Sequence, residues 1–105
     1  METKALNILA IGRDEAIMQV VHRLLNAHEA WTGTTATTDS AANNALDKGV
    51  YDIVLLCAGI TGEEEKQWRE KLQEQHTNTI VLRHYGGGSG LLENEILAAL
   101  DNAQT

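Results

Sequence analysis

The run Ile53-Val54-Leu55-Leu56-Cys57-Ala58 constrains the fold more than any other stretch of the chain. It is shorter than a core helix, and both phases of a two-residue alternation are apolar. As a strand it must therefore be buried on both faces, the situation of a central strand in a parallel sheet covered by helices. The flanking sequence supplies the rest of such a sheet. Leu6-Asn7-Ile8-Leu9-Ala10-Ile11 is a second strand-like run ended by Gly12, and Asp14 is placed to cap a helix carrying Ile17, Val20, Val21, Leu24 and Leu25. Trp31 to Thr38 is rich in Thr and favours extended backbone. Asp39-Ser40 then reads as the cap of a helix with Ala41, Ala42, Ala45 and Leu46, closed by Gly49.

Thr61 and Glu64 form a capping-box pattern that opens a charged helix reaching about Gln75. Its sparse apolar positions, Trp68 and Leu72, stand one turn apart as a docking stripe, so one side of the helix should be widely exposed. Thr79-Ile80-Val81-Leu82 makes a fourth strand, and the glycine-rich turn Gly86-Gly87-Gly88-Ser89-Gly90 leads into a last helix built on Leu92, Ile96, Leu97 and Leu100. Four strand–helix pairs in strict alternation predict an α/β domain of three layers, an open parallel sheet of order β1α1β2α2β3α3β4α4 with helices on both faces. With 105 residues, no proline and no interior linker, residues 1–105 read as one domain.

Composition narrows the function classes. A formal net charge of −7, with Lys and Arg scattered singly, repels a phosphate backbone and argues against nucleic-acid binding. No apolar run approaches the roughly 20 residues of a membrane-spanning helix. Met1-Glu2-Thr3-Lys4 leads straight into a strand without the pattern of a secretory signal, and Cys57 is the only cysteine, so a reducing, cytoplasmic setting is expected.

Three stretches carry a family resemblance: Ile8-Leu9-Ala10-Ile11-Gly12-Arg13-Asp14-Glu15, Ala42 to Leu46, and Tyr51-Asp52-Ile53-Val54-Leu55-Leu56-Cys57. Over residues 5 to 85 the chain resembles the receiver domain of two-component response regulators, a flavodoxin-like fold, which implies strand order 2-1-3-4. The resemblance also shows what has been replaced. A receiver's Asp-hydrophobic-hydrophobic-Leu-Leu-Asp pattern ends on the phosphoacceptor, and here Cys57 takes that last place. The acidic pair that would hold magnesium falls at Gly12 and Arg13, with Asp14 as a displaced remnant. The Thr or Ser closing the fourth strand falls at Arg83 or His84, and the segment that would carry a fifth strand and its Lys is missing. A hard dication needs carboxylate oxygen, and a guanidinium in its place adds repulsion. The resemblance thus implies a degenerate, truncated receiver: a phosphorylation-independent interaction module with neither enzymatic activity nor a cofactor.

In open parallel sheets, ligands gather at the carboxyl ends of the strands. The residues expected there are Arg13, Asp14, Cys57, Arg83, His84, Gly87, Gly88 and Ser89. Backbone N–H groups of the glycine turn could cradle a small anion or nucleotide with Arg13 or Arg83 adding charge, or the turn could simply replace the missing segment. Cys57 and His84 could pair as nucleophile and base, or with Asp14 as metal ligands, although a cysteine ending an apolar strand is more often a small buried hydrophobe. A fourth strand without a fifth leaves a sheet edge, and a homodimer joined along it or by exchange of the last helices would cover it.

Overall fold

The computed structural model describes residues 5–57, 59–75, 79–83, 94 and 96–98. Their elements run β1 (Leu6–Ile11), α1 (Glu15–Ala27), β2 (Trp31–Ala36), α2 (Asp39–Lys48), β3 (Ile53–Leu56), α3 (Gly62–Gln75) and β4 (Ile80–Arg83). Residues 94 and 96–98 are helical and belong to the expected last helix. The four strands form one parallel sheet in the order β2-β1-β3-β4. This is the expected flavodoxin-like arrangement. Among the described residues no helix is long and apolar enough to cross a membrane.

The double burial expected of the third strand is met in full: Ile53, Val54, Leu55 and Leu56 are each 0% exposed. Alternate side chains feed two separate cores. On one face Leu6, Ile8, Ala10, Ile53, Leu55 and Cys57 pack against Met18, Val21 and Leu25 of α1 and against Ile96. On the other, Leu9, Ile11, Val54 and Leu56 meet Ala42 and Leu46 of α2 and Trp68 and Leu72 of α3. Helices therefore lie on both sides of the sheet, and the Trp68–Leu72 stripe docks α3 as its spacing predicted.

Local chemistry places the ends of these elements. Asp14 caps α1, its Oδ1 accepting from the N–H of Ile17 at 3.1 Å. The capping box of α3 is reciprocal: Thr61 Oγ1 accepts from Glu64 N–H at 3.1 Å, and Glu64 Oε1 accepts from Thr61 N–H at 3.0 Å. At α2 the cap differs from the sequence reading. Thr38, not Asp39, is the capping residue, with Oγ1 accepting from Ala41 N–H at 3.1 Å, and Asp39 is the first helical residue, where its charge faces the positive end of the helix. Thr37, Thr38, Asp39 and Ser40 are almost all good caps, so composition leaves the position open by a residue.

Asp52 precedes β3 and stitches it to β1. Its carboxylate accepts from Asn7 N–H at 2.9 Å, while its own N–H donates to Asn7 O at 2.8 Å. The residue that opens the receiver-like motif thus acts as a strand-entry clamp.

Candidate functional site at the carboxyl rim of the sheet

The loops after β1, β2 and β3 meet at the carboxyl edge of the sheet, and Arg13 joins them. Its Nη2 donates to Asp39 Oδ1 at 2.7 Å and to Glu64 Oε2 at 2.5 Å, and its Nη1 donates to the carbonyl of Thr37 at 3.3 Å. One guanidinium thus ties the tip of β1 to the start of α2 and the start of α3. The fork geometry and permanent charge of arginine suit this role, whereas a lysine would offer a single charged point.

Gly59, in the turn between β3 and α3, also takes part. It has φ of +90°, and a Cβ built on it would lie 2.6 Å from Arg13 Cβ and 2.9 Å from Arg13 Cγ. The backbone of this turn therefore lies against the arginine stem, and only glycine permits both the left-handed conformation and the approach.

Electrostatics reinforce the junction. Hydrogen bonds to Asp39 and then Glu64 hold the Arg13 guanidinium in its charged form and raise its pKa. The Glu64 carboxyl is pushed below the usual glutamate value, first by the Thr61 N–H and then by Arg13. Because the folded value is depressed, the stabilisation is complete above the ordinary value of about 4.5 and is lost as pH falls through the lower folded value. Glu64→Gln is accordingly expected to flatten the loss of stability below pH 4.5, read from urea midpoints across acidic pH. An unchanged slope would place the titrating groups elsewhere.

The other expected site residues divide. Cys57 is 0% exposed and lies in the core beside Ala10, Met18 and Leu55, with its N–H donating to Ile11 O at 2.7 Å. Asp14 is engaged as the α1 cap. Arg83 ends β4 with Nη1 3.6 Å from Glu65 Oε1, and Glu65 Oε2 accepts from Arg69 Nε at 2.9 Å. His84, Gly87, Gly88 and Ser89 lie outside the described residues. The structure brings Arg13 to two carboxylates that sequence reasoning did not assign to the site, Asp39 and Glu64. Beside this junction Asp39, Asn43, Glu64, Gln67, Trp68 and Lys71 line a cleft of about 160 Å³. That is smaller than the roughly 300 Å³ at which ordinary ligand pockets begin.

No protein-family model matches the chain, and no curated protein matches it. Among solved structures it is similar to the signal receiver domain of an HD domain-containing protein from Pseudomonas fluorescens Pf-5, with a TM-score of 0.79 and 17% identity, covering 99% of this chain and 93% of that one. The chain has the receiver fold. At this identity the likeness speaks for the fold, and the site must be judged on its own residues.

A receiver's magnesium would sit beside the end of β1, where this receiver fold carries Gly12, Arg13 and Asp14. The residues do not fit such an ion. Arg13 brings a positive charge to the place and engages Asp39 and Glu64, while Asp14 is committed to its helix cap. Among the described residues no three His, Cys, Asp or Glu side chains group to hold a metal. Cys57, which the resemblance places at the phosphoacceptor position, is a fully buried thiol in the apolar core beneath the rim.

Proposed function

We propose that this domain is a pseudo-receiver, a cytoplasmic signalling and protein-interaction module that works without phosphorylation and turns over no substrate. One observation carries the reading: Arg13, at the position of a receiver's metal-binding acids, is held by Asp39 and Glu64. The guanidinium already stands between the two carboxylates that face it, in the place a dication would take, and an acyl phosphate formed there would lack the metal ion that stabilises it. The alternative, a small-anion site at the glycine-rich turn, would draw on Arg13 and Arg83. Both already lie against carboxylates, which favours the interaction reading. The proposed partner is a protein, with a second copy of the chain, joined along β4 or through exchanged last helices, as one form of it.

The direct test is exposure to beryllofluoride with magnesium, and separately to acetyl phosphate. The amide spectrum should be the same with and without magnesium, and the intact mass should show no added phosphoryl group. A magnesium-dependent shift at residues 12–14 or 57–65, or a phospho-adduct, would overturn the proposal.

A further inference from the structure

Among the described residues β2 is the outermost strand on its side of the sheet, and its backbone groups alternate in direction as in any parallel ladder. The bonds Leu6 N–H to Ala30 O (3.0 Å) and Gly12 N–H to Ala36 O (3.1 Å) set the phase. Thr32, Thr34 and Ala36 turn their backbone groups toward β1, and Trp31, Gly33 and Thr35 turn theirs outward. An outward row of this kind is a template for another strand.

Here the middle of the row is occupied from within. The Asn26 side chain, in the last turn of α1, accepts from Gly33 N–H through Oδ1 at 3.0 Å and donates to Gly33 O through Nδ2 at 3.0 Å. Nδ2 also donates to His22 O at 2.9 Å, so both amide hydrogens and the oxygen are engaged. The amide presents to Gly33 one donor and one acceptor, as a neighbouring strand would. Two residues earlier, Trp31 N–H donates to His28 O at 3.1 Å. Helix α1 comes this close because residue 33 has no side chain. A Cβ there would lie 2.6 Å from Leu25 Cβ, and Leu25 is fully buried. Gly33 and Asn26 thus form one device, in which the glycine admits the helix and the asparagine fills the edge.

We propose that Asn26 is a strand-mimicking plug that closes the β2 edge to strand addition by a second copy of this chain. Self-association through the sheet must then use the β4 side. The proposal does not rest on the pseudo-receiver reading, since it concerns the opposite end of the sheet from β4 and none of the residues at the Arg13 junction.

The test compares Asn26→Leu with Val21→Ala, a core truncation on the same helix that leaves the edge untouched. Mass is followed by light scattering across micromolar concentrations, and Gly33 amide exchange by NMR. Asn26→Leu should exchange the Gly33 amide about tenfold faster and associate at concentrations where Val21→Ala keeps the parental mass. Asn26→Ser, a smaller change that cannot span the same bonds, is read in the same way if the leucine variant fails to fold. Unchanged Gly33 exchange and parental mass in the folded Asn26 variant would overturn the proposal. Equal association by Val21→Ala would also overturn it, because general destabilisation would then be sufficient.

Discussion

Replacing Cys57 with aspartate, which restores the residue type of a receiver's phosphoacceptor, is expected to destabilise the domain by about 3–5 kcal/mol at neutral pH and to confer no phosphorylation. The side chain at 57 is 0% exposed, among Ala10, Met18, Ile53 and Leu55, so an aspartate there would lose its hydration. Burial disfavours the charged form and raises the carboxyl's folded pKa. The variant should therefore approach the parent's stability in acid and fall behind as pH rises above the unfolded aspartate value of about 3.9. Urea midpoints at acidic and neutral pH measure this directly. Equal midpoints for variant and parent at neutral pH would mean that position 57 reaches water, and the receiver chemistry would have to be reconsidered.

Gly59→Ala is expected to cost about 2 kcal/mol or more, from two separable causes. A φ of +90° is unfavourable for any L side chain, and the new methyl would meet the Arg13 stem at 2.6 Å. The causes separate in a double-mutant cycle. Arg13→Gly removes the colliding atoms and leaves the backbone strain, so the pair should be less destabilised than the sum of its members. Strict additivity in thermal midpoints would show that Gly59 and Arg13 do not press on one another. The turn at 59 lies directly before the α3 cap, and the same variant should speed amide exchange at Thr61 and Glu64, whose N–H groups close that cap.

The features legible in the sequence were those written in local patterns. The apolar run of β3 announced a strand buried on both faces, and the Thr61–Glu64 spacing announced a helix start, because strand burial and capping depend on residues a few positions apart. Asp14 was legible as a cap for the same reason. The Arg13 junction was not, because its partners stand 26 and 51 residues away and no periodicity links a guanidinium to carboxylates at such separations. Sequence reasoning saw Arg13 as a charge opposed to magnesium and missed that it finds its own counter-ions. The Thr61–Glu64 spacing predicts the capping role of Glu64 and carries no sign of its second role with Arg13. Nothing local marks Asn26, and its role becomes visible only when the Gly33 edge is placed beside it. The requirement for glycine at position 59 follows from its φ of +90° and the nearness of Arg13, neither of which is written in the residues around it.

Glu64 uses one oxygen to seal the first turn of α3 and the other to grip Arg13. A load applied to α3, for instance by a molecule seated along its exposed side, would reach the tip of β1 through this carboxylate as well as through the Trp68–Leu72 packing, and α2 through Asp39. Movement of the helix would thereby be felt on the far side of the rim, with no chemical event needed to engage the linkage.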